Sequence, residues 1–435
     1  MRKSFLTIAC LYGMMLVSAF YWQLCSDIDS HPANPRYYLV FQRERGTIFD
    51  RQGRPLAYSS AGEQGYRRTY AAPSLSHVVG YFHERYGVTG LEQLFHAELS
   101  AGRSVFTTLD LDLQKKAEEL LGGSTGALVA VRPASGEILA LVSQPCLDGN
   151  ALEENWAAYL ADVRSPFLNR VTHGLYPPGS VVKTIVLAAA AVEEAAELED
   201  KWDDGGTLDL VGGTVRNFRG RAHGEISLAQ ALAVSSNVVF GQLAGELGEK
   251  LLSYFRLFGL GQPVGCELSN QAGLVPESIA SPYHAAQLGI GQGELLVTPL
   301  QMAQVACALA NRGVLMRPYL VQEVRGGWRL RQITRPQIVG QAVPAWVAEL
   351  VKAAMTLTAR EGTARVERAA DLDYAGKTGT AQLGSAPDHA WFIGFAPTDA
   401  PQIAVAVVVE HGGTGAHAAA PIGVELMLHA VQMSE

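Results

Sequence analysis

Cysteine is scarce. Five residues (Cys10, Cys25, Cys146, Cys266, Cys307) are scattered through 435 positions with no close pair. That sparseness argues against a disulfide framework, and no spacing fits a zinc site. Cys10 lies in an apolar run. The other four read as buried thiols, with a single Cys146–Cys266 or Cys266–Cys307 bridge as the alternative. Charge is also low, at 17% against 48% hydrophobic residues, which does not suit a disordered chain. No dense basic stretch occurs and the formal net charge is −8, so nucleic acid is a poor match as partner. Internal repeats and low-complexity tracts are missing. At roughly 100 to 200 residues per domain, the length predicts two or three domains.

One stretch lacks charge altogether. From Ser4 to Ser26 no residue is charged, in FLTIACLYGMMLVSAFYWQLC. A helix needs about 20 such residues to cross a bilayer. Arg2 and Lys3 precede it and Asp27 follows, which predicts an inside N-terminus and an outside remainder. Tyr21 and Trp22 stand where an interfacial aromatic belt would be. A cleaved signal peptide is the rival reading, but the run is long for that and no small-x-small site follows Phe20.

The region from about Asp27 to Thr107 is polar and rich in Arg, Tyr and Gly. Its segment RERGTIFDRQGRPLAYS reads as strand, turn, strand, with the turn at Asp50-Arg51-Gln52-Gly53. Thr107 to Leu121 reads as an amphipathic helix capped by Asp110 or Asp112. From Gly122 the composition changes. GALVAVRPASGEILALVS predicts two strands joined at Pro133-Ala134-Ser135-Gly136. Helices are expected from about Ser180 to Glu194, onward from Ser227, over Thr298 to Asn311 with Pro299 in its first turn, and over Pro421 to Met433. Late strands are AWFIGFAP (Ala390 to Pro397) and IAVAVVVE (Ile403 to Glu410). Strands at both ends with helices between predict a mixed sheet covered by helices.

Three short motifs carry chemistry. The first is Ser180-Val181-Val182-Lys183, after Pro177-Pro178-Gly179. Two prolines and a glycine suit a helix start, where free backbone N–H groups favour developing negative charge. Lys183 falls on the same helical face as Ser180. A serine hydroxyl needs a base to become a nucleophile, and lysine can serve only if burial or a second cation lowers its pKa. Alone, this spacing is also that of an ordinary helix start. The second motif, Ser235-Ser236-Asn237, interrupts an apolar stretch. It is either a helix end or a hydroxyl and an amide offered to a cleft. The third, Lys377-Thr378-Gly379-Thr380, precedes a strand-like run. Its lysine can be the second cation, and Thr378 and Thr380 can hold a carboxylate. A phosphate-binding loop fails, because Asp371 stands where its first glycine is required.

In this order the motifs resemble the S-x-x-K, S-x-N and K-T-G set of penicillin-recognising serine enzymes. Arg45-Gly46-Thr47-Ile48-Phe49-Asp50-Arg51 through Leu56-Ala57 resembles the N-terminal signature of class B penicillin-binding proteins. Asn169-Arg170, Gly291-Gln292-Gly293 with Thr298-Pro299, and His389-Ala390-Trp391-Phe392 resemble other segments of that family. The similarity spans nearly the whole chain.

The resemblance implies an α+β fold. Residues 1–26 would be a cytoplasmic tip and transmembrane anchor, 27–121 a short pedestal or dimerisation-like module, and 122–435 a transpeptidase domain with a mainly antiparallel sheet covered by helices. It implies a peptidoglycan D,D-transpeptidase in the cell membrane, with its catalytic domain outside and β-lactams as substrate mimics. Ser180 would be the nucleophile and Lys183 its base. Ser235 and Lys377 would relay the proton. Asn237, Thr378, Gly379 and Thr380 would bind substrate, with an oxyanion hole at Ser180 and Thr380. No cofactor or metal is implied. A membrane polymerase of the shape, elongation, division and sporulation (SEDS) family is the implied partner. Alternatives are a D,D-carboxypeptidase or β-lactamase-like hydrolase, for which Glu267-Leu268-Ser269-Asn270 superficially qualifies, and a non-catalytic β-lactam sensor. Too little chain precedes Gly122 for a second catalytic domain.

Overall fold

Side-chain alternation along four apolar strands sets the centre of the molecule. The computed structural model describes residues 2–24, 41, 43–62, 65–326, 330–384 and 386–433. Five antiparallel strands, β5 (Gly126–Val131), β6 (Ile138–Gln144), β9 (Ala375–Leu383), β10 (Ala386–Ala396) and β11 (Ile403–Val409), lie in the order β9-β10-β11-β5-β6. Successive residues point to opposite faces. Val129, Leu141, Ile393, Ala406 and Val408 therefore enter one core, while Leu128, Val142, Phe392, Val405 and Val407 enter another. Burial on both faces explains why these strands read as unbroken apolar runs.

Each face is covered by helices. α2 (Leu111–Leu121) and α7 (Gly415–Gln432) cover one. α3 (Lys183–Val192) and α6 (Pro299–Ala310) lie in the core on the other. Asp110 caps α2, its side chain accepting from the N–H groups of Asp112 and Leu113. Thr298 caps α6 in a reciprocal box with Gln301, and Pro299 takes the first turn as expected. The last helix begins at Gly415 rather than Pro421, and Pro421 lies inside it.

The N-terminal module carries a second sheet. β1 (Ile48–Phe49) and β2 (Pro55–Gly62) follow the expected strand–turn–strand, and β3 (Gly65–Tyr70) pairs antiparallel beyond β2. Asp50 Oδ1 closes the turn by accepting from the N–H of Gln52 at 2.9 Å and of Arg54 at 2.8 Å. β4 (Ser104–Thr107) runs parallel to β1. Two later strands, β7 (Val321–Gly326) and β8 (Leu330–Ile333), complete the order β8-β7-β4-β1-β2-β3. The pairing of β7 with β4 was not legible in the sequence, because it joins segments more than two hundred residues apart.

α1 (Arg2–Leu24) precedes both sheets, and Ile8, Leu11, Met14, Val17 and Phe20 are exposed along it. Among the described residues no helix is long and apolar enough to cross a membrane. The side chains flanking the expected span, at 2–6 and 22–24, and residues 25–26, lie outside those described. Cys10, Cys146, Cys266 and Cys307 are free thiols; Cys25 lies outside the described residues.

Candidate active site

The turn that carries Ser180 is tight. The sequence predicts an α-helix from about Ser180, but Gly179–Val182 is a 3-10 turn and the α-helix starts at Lys183. At three residues per turn, positions i and i+3 eclipse, so Ser180 and Lys183 align more closely than in an α-helix. Gly179 has φ 56°. A Cβ there would lie 2.7 Å from the Thr380 carbonyl oxygen, and a Cβ on Gly291 would lie 2.0 Å from the Gly179 oxygen. Both sites require glycine.

The strand leading to this turn is pinned on several sides. Tyr176 exchanges backbone hydrogen bonds with Val297, and the Gly179 N–H donates to Gly291 O at 2.9 Å. Trp391 Nε1 donates to Pro177 O at 3.1 Å. Tyr176 Oη and Arg170 Nε both donate to Glu410 Oε1, at 2.6 and 2.7 Å. The segments 169–170, 291–293 and 389–392 thus converge behind Ser180.

The second motif divides three tasks among three neighbours. The expected single helix from Ser227 is broken there into α4 (Leu228–Val234) and α5 (Asn237–Leu247). Ser235 terminates α4 in the left-handed region, at φ 62° and ψ 41°. A non-glycine residue there costs about 1 to 2 kcal/mol. Ser236 caps α5, accepting from the Val239 N–H at 3.1 Å. Asn237 opens α5 and accepts from Lys183.

Both motif lysines are completely buried. Lys183 Nζ donates to Ser235 O at 2.8 Å and Asn237 Oδ1 at 2.7 Å, with Ser235 Oγ at 3.4 Å. Lys377 Nζ donates to Ser235 Oγ at 2.8 Å and to Thr378 O at 2.8 Å. Burial, reinforced by the Lys377 charge and opposed by Asp204, holds the Lys183 ammonium well below the usual lysine range. Burial alone pushes Lys377 down to about 7. A neutral Lys183 has two N–H bonds. The two carbonyl acceptors consume them and leave its lone pair free.

The third motif lies on β9, the edge strand of the five-stranded sheet. Gly379 lets it pass the Ser180 turn: a Cβ there would stand 3.0 Å from Pro178 O and 3.1 Å from Val181 Cγ1. Thr378 donates from Oγ1 to Thr363 Oγ1 at 2.6 Å. Ser180, Ser235, Asn237, Thr378, Gly379 and Thr380 all line one cleft of about 660 Å³. Every site residue expected from the sequence lines this cleft or is buried against one that does.

Some participants carried no sequence signal. Thr363 was missed because a lone threonine at a helix end is unremarkable. Asn217 is buried; its Oδ1 accepts from the N–H groups of Asn237 and Val238 at 2.7 and 3.1 Å. Glu410 lies at the end of a strand and nothing nearby hints at Arg170. The hydrolase-like segment is elsewhere. Glu267 accepts from the Leu320 and Val321 N–H groups at 2.8 and 3.0 Å and does not line the Ser180 cleft.

Residues 126–428 match the penicillin binding protein transpeptidase domain, and 45–119 match the penicillin binding protein A dimerisation domain. Peptidoglycan D,D-transpeptidase PbpA of Mycolicibacterium smegmatis is 34% identical, covering 97% of each chain. Peptidoglycan D,D-transpeptidase MrdA of Haemophilus influenzae is 33% identical, over 75% of this chain and 56% of the relative. A ceftriaxone acyl-enzyme complex of penicillin-binding protein A from M. tuberculosis superposes with TM-score 0.84 at 31% identity, over 90% of this chain and 99% of that one. A D,D-transpeptidase domain from Eggerthella lenta gives 0.83 at 33%, over 91% and 100%.

Proposed function

The chain belongs to the penicillin-binding protein transpeptidase family as a class B member, and we propose that Ser180 is its acyl-accepting nucleophile. It is a serine D,D-transpeptidase of peptidoglycan and a target of β-lactams. The observation that carries the Ser180 assignment is the pair of buried lysines meeting at Ser235 Oγ, one of them a single turn along the chain from the 3-10 turn that presents Ser180 to the same cleft.

The chemistry follows from that arrangement. Neutral Lys183 takes the Ser180 hydroxyl proton as Oγ bonds to the penultimate D-alanyl carbonyl carbon. The substrate lies along the free edge of β9 as an added strand, with its terminal carboxylate at Thr378 and Thr380. The N–H groups of Ser180 and Thr380 receive the oxyanion, a stabilisation of about 3 to 4 kcal/mol per donor. The C–N bond breaks, and the leaving D-alanine amine takes a proton passed through Ser235 from the lysine pair. An amine of a neighbouring stem then attacks the ester and regenerates Ser180. Asn237 acts first on the enzyme, since its Oδ1 accepts from Lys183 and its Nδ2 donates to Arg216 O at 2.8 Å. Its Nδ2 face toward the cleft orients the substrate amide once that backbone bond is exchanged.

The uncharged run from Ser4 to Ser26 and the apolar side chains exposed along α1 support a single membrane anchor, with residues 27–121 as pedestal and 122–435 outside the cytoplasm. A SEDS-family glycan polymerase is the proposed partner; a pull-down of the intact protein lacking such a polymerase would count against it. Intact mass spectrometry with benzylpenicillin tests the nucleophile. A stable adduct on wild type and none on Ser180→Ala is expected. An adduct that persists on the alanine variant sinks the assignment.

A further inference from the structure

The Ser180 cleft is lined without a single carboxylate among the described residues, in a chain whose formal net charge is −8. Arg216, Arg219, Arg221, His223 and His417 line it instead. Among the described residues none of the three arginines has a carboxylate partner; Arg219 lies over its neighbour Phe218, 5.1 Å from the ring centroid. Charges of one sign along a concave, low-dielectric wall focus the field onto whatever enters.

These arginines sit on a loop rooted in the interior. Asn217 Nδ2 donates to both oxygens of buried Asp204, at 2.7 and 2.9 Å, and to Arg221 O at 2.8 Å. The His223 N–H donates to Asp204 O at 3.0 Å. A Cβ on Gly206 would stand 2.6 Å from Gly220 O, so the loop lies tight against that turn. Arg219 is held at φ 56°, which a residue with a Cβ adopts only under constraint. The same Asn217 accepts from the first two N–H groups of α5, which carries Asn237. One buried amide therefore sets the loop and the catalytic helix in a fixed relation.

We propose that loop 216–223 is a carboxylate-reading subsite, selecting acyl donors with an anionic group on the residue upstream of the scissile D-alanyl-D-alanine. This rests on Ser180 being the acylated residue. The subsite is separate from Thr378 and Thr380, which belong to β9 and serve the terminal carboxylate. Arginine suits the task because its planar fork meets a carboxylate with two parallel N–H bonds.

The probes are benzylpenicillin and α-carboxybenzylpenicillin, which differ by one carboxylate on the acyl side. Second-order acylation constants of the intact protein are read by mass spectrometry. In wild type the acidic probe reacts faster, by roughly tenfold at low salt, and the ratio shrinks toward one at 0.5 M salt. In Arg219→Gln/Arg221→Gln the ratio falls to about one, and in Arg219→Glu/Arg221→Glu below one. Both arginines are exposed, and melting curves confirm that the variants fold. A wild-type ratio of one or less, or a ratio unchanged in both double variants, overturns the subsite. Adducts surviving in Ser180→Ala overturn the nucleophile reading and the subsite with it, and are told apart because the ratio is then no longer read at Ser180.

Discussion

Lys183 and Lys377 are brought to the same hydroxyl: Ser235 Oγ lies 2.8 Å from Lys377 Nζ and 3.4 Å from Lys183 Nζ. Two ammonium groups cannot share so small a buried space at low cost. The arrangement favours release of a proton from Lys183, which the structure also desolvates.

Removing the second cation should move the pH profile. Lys377→Met deletes the charge that lowers Lys183, so Lys183 holds its proton to higher pH. Wild-type acylation by benzylpenicillin rises as Lys183 deprotonates. In the variant the midpoint of that rise shifts upward, and the rate at pH 7 drops. Rapid-quench acylation across pH 5 to 10 checks this, and an unmoved midpoint counts against it. Lys183→Met removes the proposed base and should cost roughly 10²- to 10⁴-fold at every pH.

The same lysine links folding to pH. Burial pushes Lys377 down to about 7 in the folded protein, from about 10.5 for an exposed lysine. Between those values the unfolded chain binds more protons, so stability rises with pH through this window. Below about 7 the full cost of burying the charge is present. Urea titrations at pH 7 and pH 9.5 should show a gain in wild type that is smaller in Lys377→Met.

Position 235 separates backbone strain from chemistry. Ser235→Gly and Ser235→Ala both delete the hydroxyl that joins the lysines, and both should acylate at least 10²-fold more slowly. They should differ in stability, because only glycine accepts φ 62° freely. The glycine variant should exceed the alanine variant by about 1 kcal/mol in denaturant unfolding. Equal stabilities would mean that the left-handed conformation is not strained.

Gly291 tests the close approach behind the Ser180 turn. A Cβ at 2.0 Å from Gly179 O forces backbone to move, and Gly291 itself has φ 76°. Gly291→Ala should destabilise by roughly 2 kcal/mol or more, and the residual folded fraction should acylate slowly. Thermal melts with acylation assays distinguish the two effects.

The motifs were legible because their chemistry demands particular residue types at short spacing. Lys183 and Ser180 lie three apart on one turn, and Ser235-Ser236-Asn237 breaks an apolar run. The strands were legible where apolar residues ran unbroken, as in Ile403 to Val409. The helix break at Ser235 was half-visible: the motif read as a helix end, yet the flanking periodicity ran straight through it. Asn217, Thr363 and Glu410 were not legible. Each acts through a partner brought close only by the fold, and local patterning records no such meeting. The 3-10 start at Gly179 is of the same kind, being imposed by contact with Gly291 and β9.

The shared sheet of β4 and β7 has a practical consequence for dissection. A chain begun at residue 122 would retain every motif residue and still be expected to behave badly. It would leave β7 with a bare row of N–H and C=O groups along the side that β4 now covers. Such an edge invites pairing between molecules, so catalytic competence and colloidal solubility part company at that cut. The strand at Ser104–Thr107 thus keeps that edge paired within the same polypeptide.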